Sequence, residues 1–121
     1  MHIKIEVTKQ LHDMGMPAHL QGFDYLREAV MRCVREPDMV RALTTRLYPG
    51  VAEMFSTTPS RAERAMRHAV EVAFDRGELE RLHALFGCTV RADKGRPTLG
   101  EFIGLVADTL RLRMEGEVCR S

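Results

Sequence analysis

The sequence predicts a compact all-α domain of six to seven helices that contains a helix-turn-helix. Apolar residues recur at three- and four-residue spacing along nearly the whole chain, which is the pattern of amphipathic helices. No segment alternates apolar and polar residues for long, as a half-buried strand would. The 121 residues, 45% of them hydrophobic, suffice for one core and not for two. We therefore expect one domain over residues 1–115, followed by a flexible tail over residues 116–121.

The first helix is predicted from apolar residues near the start of the chain. Val7, Leu11 and Met14 follow an i, i+4, i+7 pattern that leads to Gly15, a residue type typical of the position after a helix. Residues 3–7 also alternate, so a short strand there is the alternative. We favour the helix, because the helical spacing continues for longer.

Prolines mark the boundaries of the next elements. A second amphipathic helix ends before Pro37, since the residue before a proline resists the α region. Pro37 suits the first turn of a third helix, and Pro49 suits the first turn of a short fourth helix of about two turns, which ends at the polar triplet 56–58. The apolar residues that mark these three helices are Phe23, Leu26, Val30 and Cys33 or Val34, then Val40, Leu43 and Leu47, then Val51, Ala52, Met54 and Phe55.

The longest well-defined element is predicted from Pro59 to Arg76. Thr58 suits the N-cap, Pro59 the first helical position, and Gly77 the position after the last helical residue. A short helix, a polar turn and a longer helix form the layout of a helix-turn-helix, here over residues of about 49–76.

Two further helices are expected after it. The last helix begins with a capping box, in which Glu101 stands three residues after Thr98. A loop rich in glycine and charge, from about residue 87 to 97, precedes this helix. The apolar positions are Leu79, Leu82 and Leu85 in the short helix, and Phe102, Ile103, Val106, Leu110 and Met114 in the last one.

Composition excludes several classes of protein. Lys and Arg number 18 against 17 Asp and Glu, so the net charge of +1 gives no global signal for nucleic acid or membrane. No apolar run approaches the roughly 18 residues of a membrane span. Cys33, Cys88 and Cys119 form no CxxC pair and are expected to be free thiols of a cytoplasmic protein. The histidines lack metal-ligand spacing and no nucleophile motif or phosphate loop occurs, so we expect no metal, no cofactor and no catalytic residue.

The two faces of the helix predicted from Pro59 differ in chemistry. At about 100° per residue, seven apolar residues fall within an arc of roughly 160°. Four of the seven are alanines, which allow close packing against neighbouring helices. Between Arg61 and Ala73, every polar side chain lies on the opposite arc. The apolar arc holds Ala62, Ala65, Met66, Ala69, Val70, Val72 and Ala73, and the polar arc holds Arg61, Glu63, Arg64, Arg67, His68 and Glu71.

The polar face carries side chains that read base pairs. An arginine can be bidentate to guanine O6 and N7, and a glutamate can accept a hydrogen bond from cytosine N4. Arg61, Glu63 and Arg64 therefore suit base contacts to a site that contains G and C. A helix N-terminus also offers free amides to a phosphate. The residues expected to contact the DNA backbone are Thr57, Thr58, Ser60, Arg67 and His68.

An ordinary amphipathic helix is the alternative interpretation of the same face. In that case Arg67 pairs with Glu63 or Glu71, since oppositely charged side chains four residues apart often interact. Arg61 and Arg64 would then only be solvated.

Several runs of the sequence carry a resemblance to one family of regulators. They are residues 12–19 (HDMGMPAH), 22–29 (GFDYLREA), 47–49 (LYP), 57–76 (TTPSRAERAMRHAVEVAFDR), 85–87 (LFG), Pro97, 101–103 (EFI) and 106–108 (VAD). Through these runs, in order and over nearly the whole chain, the sequence resembles the C-terminal DNA-binding effector domain of the master response regulator of sporulation initiation, the stage-zero sporulation protein A family.

The resemblance implies a helical domain that binds double-stranded DNA at a short G- and C-containing promoter box, usually as tandem copies, and activates or represses transcription. It implies base contacts by Arg61, Glu63 and Arg64, and positions near the phosphates for Ser60, Arg67 and His68.

The resemblance also implies partners and control. Residues 77–90 correspond to the segment implicated in contact with the RNA polymerase sigma subunit, although 78–84 depart from the family's pattern. Such regulators join a phosphate-accepting receiver to this domain, and no receiver precedes Met1 here, so we expect DNA binding without phosphorylation control. The alternative function is a protein-interaction module that binds sigma or a full-length regulator without reading DNA.

Overall fold

The structure is a computed structural model that describes residues 2–76 and 97–120. Over these residues it is all-helical and contains no strand, which confirms the predicted class. None of its helices combines the length and the apolar character needed to cross a membrane. The five α-helices of the described residues, slightly fewer than the six to seven elements expected, are α1 (Ile3–Asp13), α2 (Gln21–Arg35), α3 (Tyr48–Met54), α4 (Pro59–Arg76) and α5 (Leu99–Arg120). The predicted helix at Leu79, Leu82 and Leu85 lies outside the described residues.

The start of the chain is helical and ends at a glycine, as expected. Gly15 has a φ of 84°, in the left-handed region that glycine adopts without a Cβ clash. The Gly15 N–H donates to the His12 carbonyl at 2.9 Å, and the Met16 N–H donates to the Leu11 carbonyl at 3.2 Å. This pair of bonds satisfies two carbonyls that α1 leaves without helical partners. Met16 and Leu11 are both buried, so the apolar contact that accompanies this motif is also available.

The prediction of a third α-helix from Pro37 is wrong. The segment is a 3₁₀ helix (Pro37–Arg41) and then, after Ala42 with φ −127° and ψ 45°, a π-helical turn (Leu43–Leu47). In that turn the Leu47 N–H donates to the Ala42 carbonyl, five residues earlier, at 2.9 Å. The wide turn directly precedes Pro49, whose ring would meet the carbonyl four residues earlier in a regular α-helix.

Packing against α5 explains why this segment leaves the α-helical path. A Cβ placed at Gly100 would lie 2.5 Å from Leu43 Cδ1, and a Cβ at Gly104 would lie 3.3 Å from Val40 Cγ1. The side chains of the irregular segment therefore rest against exposed backbone of α5. Such tertiary contacts override helix propensity, which is only a weak local preference.

The centre of the domain is α2, which packs most extensively against α4 and α5. Cys33 and Val34, the two alternatives for one apolar position, are both buried in the cluster that all five α-helices share. Helices α2 and α4 are in close contact at Gly22, where an added Cβ would overlap the carbonyl oxygen of Ala65 and lie 2.9 Å from Ala69 Cβ. The alanine-rich arc of α4 thus packs closely, as predicted.

The capping box of the last helix is confirmed. The Thr98 N–H donates to Glu101 Oε1 at 3.0 Å, and the Glu101 N–H donates to Thr98 Oγ1 at 3.2 Å. At the other end, α5 continues through Gly116 to Arg120, and the flexibility expected of residues 116–121 stays a prediction. A glycine inside a helix costs only about 1 kcal/mol, which is too little to end the helix by itself.

Candidate nucleic-acid interface

The turn between α3 and α4 is built like the end of α1 but without glycine. Ser56 has a φ of 54°. Its N–H donates to the Glu53 carbonyl at 3.2 Å, and the Thr57 N–H donates to the Ala52 carbonyl at 2.9 Å. This motif stops α3 and redirects the chain within three residues. The short helix, the turn and the long helix occur at the positions that the sequence predicted.

Helix α4 begins at the predicted cap. Thr58 Oγ1 accepts a hydrogen bond from the Arg61 N–H at 3.2 Å, and the Thr58 carbonyl accepts from the Ala62 N–H at 2.9 Å. The hydroxyl of Thr58 is exposed, and a hydroxyl that accepts one bond can still donate another. Thr58 can therefore cap the helix and donate to an anion at the same time.

The angular separation of the two faces of α4 is confirmed by burial. Ala62, Met66, Ala69 and Ala73 have no exposed surface, and Val70 is 3% exposed. Ala65, Val72 and Glu63 are partly buried at the edges of the packed face. The side chains that the structure leaves exposed on the other face are those of Ser60, Arg61, Arg64, Arg67, His68 and Glu71.

One ion pair divides this polar face. Arg67 Nη2 lies 3.3 Å from Glu63 Oε1, with 57% of the arginine side chain and 34% of the glutamate side chain exposed. This pairing is the one that the ordinary-helix interpretation expected. Arg61 and Arg64 make no ion pair within the described parts of the chain, which is the state that both the ordinary-helix and the base-reading interpretations expect of them. The charge of Glu63 is therefore balanced locally, and the charges of Arg61 and Arg64 are available.

A buried tyrosine of α3 lies beneath the paired side of the face. Burial raises the pKa of Tyr48, and the carboxylate of Glu63 raises it further, while the cation of Arg67 opposes both effects. The Tyr48 hydroxyl therefore stays protonated and neutral at physiological pH.

Beside the unpaired arginines runs a groove that the sequence did not predict. The first turn of α2 forms the wall of the groove opposite α4. This wall carries the exposed residue Gln21, and Tyr25 follows one turn later. The rings of Tyr25 and Phe55 lie 4.9 Å apart and connect α2 to the turn. The residues that line the groove are Gln21, Tyr25, Phe55, Ser56, Thr57, Arg61, Arg64, Ala65 and His68. No local signal marks Gln21, because it lies outside the helix-turn-helix and reaches it only through the packing of α2.

A second contact that the sequence did not reveal positions α3. Arg32 Nε donates to Glu28 Oε2 at 2.7 Å, and the Arg32 guanidinium occupies the space where Gly50 would carry a Cβ. Glu28 is only 12% exposed in its side chain, so this charge-assisted bond is shielded from solvent. The pair fixes the beginning of the helix-turn-helix against α2.

The structure thus separates the predicted site residues into groups. Arg61, Arg64, His68 and Thr57 share the groove, whereas Glu63 and Arg67 pair with each other beside it. Thr58 and Ser60 lie at the exposed start of α4. The predicted sigma contact, residues 77–90, falls outside the described residues.

A comparison with known families agrees with this geometry. Residues 7–110 match the family described as sporulation initiation factor Spo0A C terminal, so the match spans nearly the whole chain, including α4 and the groove. This is a family of DNA-binding regulatory domains and not of enzymes. A helix-turn-helix whose second helix presents unpaired arginines is the arrangement that such a domain needs. The chain belongs to the Spo0A C-terminal family of response regulator effector domains, which bind DNA and regulate transcription in sporulation.

Proposed function

We propose that this domain binds double-stranded DNA in the cytoplasm and reads a short promoter box that contains G and C, with tandem copies on adjacent boxes. The observation that carries the proposal is the pair of exposed arginines, Arg61 and Arg64, on a helix whose opposite face is buried. A rigidly packed helix that presents unpaired guanidinium groups is suited to the major groove, where guanine offers two acceptors side by side.

The base-reading roles follow from the donors and acceptors of each side chain. Arg61 and Arg64 donate to guanine O6 and N7. Glu63 uses one carboxylate oxygen for Arg67, and the other oxygen accepts from cytosine N4.

The residues that contact the DNA backbone lie around the base-reading residues of α4. Thr57, Thr58 and Ser60 offer hydroxyl groups at the positive end of the α4 dipole, which favours a phosphate. Arg67 and His68 lie one turn further along α4 and are exposed, so they reach a phosphate or a neighbouring base.

The test begins with selection of bound sequences from a random DNA pool, followed by titration of the selected box and of a scrambled box. Arg64→Ala is expected to weaken binding to the selected box by about 1–3 kcal/mol while binding to scrambled DNA changes little. Arg41→Ala is the matched control, because Arg41 is an exposed arginine that lines a different groove, beside α5. Equal losses on both DNAs would contradict base reading by Arg64.

Arg67→Ala has a different expected signature. Loss of a phosphate contact weakens binding similarly on all sequences and reduces the salt dependence by about one ion. A loss confined to the selected box would instead place Arg67 at a base.

The same titrations decide against the proposal if the wild-type domain shows no sequence preference at moderate salt. If such a domain co-purified with RNA polymerase or with a full-length regulator, the chain would be a protein-interaction module.

A further inference from the structure

We infer that Gln21, at the start of α2, donates a hydrogen bond to a phosphate of the DNA strand that runs along the groove beside Arg61 and Arg64. The inference rests on the proposed function, and it adds a contact from outside the helix-turn-helix. The partner is a nucleic acid backbone, identified by the chemistry of the groove.

The position of Gln21 relative to α4 is fixed by two contacts that directly follow it in α2. The next residue, Gly22, lies so close to α4 that no Cβ fits between its backbone and the Ala65 carbonyl. One turn later, the ring of Tyr25 lies 4.9 Å from the ring of Phe55, in the turn before α4. Because α2 cannot slide or tilt against α4 without breaking these contacts, Gln21 stays on the wall of the groove.

The charges of the groove favour an anionic strand. Among the described residues, those that line it include Arg61, Arg64 and His68 but no carboxylate. The carboxylate of Glu63 lies on the other side of the polar face, where Arg67 neutralises it. The positive potential of α4 is therefore directed toward the wall that carries Gln21.

The polar groups of the groove can all donate to phosphate oxygens. The Gln21 amide has two N–H donors, and Ser56 and Thr57 have one hydroxyl each. Gln21 is exposed, so contact with DNA requires no rearrangement of the core. A side chain without charge adds a hydrogen bond and leaves the number of released counterions unchanged.

The lack of charge on the Gln21 side chain gives the test a specific signature. The affinities of Gln21→Ala, Gln21→Lys and Gln21→Glu are measured by fluorescence anisotropy on the selected box and on scrambled DNA, over a series of salt concentrations. Gln21→Ala is expected to weaken binding about 10-fold or more on both DNAs, which is the size of one hydrogen bond to a charged group, with an unchanged salt slope. Gln21→Lys is expected to bind more tightly at low salt with a slope steeper by about one, and Gln21→Glu to bind more weakly.

The control is Leu112→Lys, which adds the same charge in α5. Leu112 is 58% exposed, and the next residue, Arg113, contacts Gln10 of α1. Circular dichroism melting verifies that each variant is folded. If Gln21→Lys and Leu112→Lys have the same salt slope and Gln21→Ala binds like the wild type, Gln21 does not contact DNA.

Failure of this inference is distinguishable from failure of the proposed function. A wild-type domain that prefers the selected box and loses this preference in Arg64→Ala retains the proposed function, whatever Gln21 does. Loss of binding in Gln21→Ala on the selected box alone would overturn the phosphate contact in favour of a base contact.

Discussion

Among the residues that the structure describes, Ser56 is the one whose backbone departs furthest from its ordinary preference. A side chain in the left-handed region places Cβ close to the following carbonyl oxygen, which costs roughly 1–2 kcal/mol. The equivalent position after α1 is occupied by glycine, Gly15, with a φ of 84°. The turn of the helix-turn-helix therefore keeps a strained residue where another turn of the same chain avoids one.

Replacing Ser56 by glycine is expected to stabilise the domain by about 0.5–1 kcal/mol, because relief of strain exceeds the extra unfolded-state entropy of glycine. The free energy of unfolding, measured by urea denaturation, checks this. Ser60→Gly is the matched control, since Ser60 lies within α4 and the same change there removes helix propensity. A decrease in stability in both variants would show that Ser56 is not strained.

At the level of the helices, the end of each helix is determined by residues near it in the chain. The way in which two helices approach each other depends on residues that are far apart in the chain. The caps at Thr58 and Thr98 and the stop at Gly15 were predicted, because each depends on hydrogen bonds within about five residues. The irregular segment after Pro37 was not predicted, because its path depends on Gly100 and Gly104 of α5.

The contact between α2 and α4 gives the element-scale prediction. Gly22→Ala is expected to destabilise the domain by roughly 1–3 kcal/mol, the usual cost of overpacking, because the added methyl group meets α4 backbone that must move as a unit. The shift of α4 also displaces Arg61 and Arg64, so affinity for the selected DNA should fall in the fraction that remains folded. Urea denaturation and anisotropy titration measure the two effects.

Gly116→Ala is the control for this substitution. A Cβ at Gly116 has no neighbour within 4 Å, and the residue lies inside α5. The same change is therefore expected to raise stability by up to about 1 kcal/mol through helix propensity. An unchanged stability would mean that the helix is frayed at this point in solution, as the sequence-based prediction of a flexible tail requires.

At the scale of the whole molecule, one core connects both ends of the described chain. Gln10 of α1 is only 3% exposed, and its Oε1 accepts a hydrogen bond from Arg113 Nη1 of α5 at 3.1 Å. Helix α2 packs against both α1 and α5, and its Cys33 has no exposed surface. We therefore expect the helices to unfold together.

Cys33 reports on this cooperativity. Burial raises the pKa of its thiol from the ordinary 9.0 to about 11, with a smaller opposing effect from the cation of Arg111. The neutral buried thiol favours the folded state fully below pH 9.0, and this contribution is lost as the pH rises through about 11.

Alkylation of Cys33 by iodoacetamide at pH 8 is expected to be far slower in the native protein than in urea, since the reactive thiolate forms only on exposure. Peptide mass spectrometry separates its labelling from that of Cys88 and Cys119. Labelling of native Cys33 at the rate of an unfolded thiol would contradict a single cooperative core.

Local patterns of residues were enough to predict the class of the fold, the bounds of α4 and the composition of its two faces. Those properties depend on residues that are neighbours along the chain, so hydrophobic periodicity and capping chemistry reveal them. The residues for base reading were named from the same periodicity, and their contacts with DNA stay a prediction.

The choice of which charges on α4 are neutralised, and the groove that lies beside the helix, became visible once the packing of the helices was known. Glu63 was within pairing distance of Arg67 along the helix, but the groove toward Gln21, whose described lining residues include no carboxylate, depends on how α2 packs. Gln21 stands forty residues before Arg61 in the chain. Contacts over such separations are set by the shape of the packed core, which no local pattern of residues encodes.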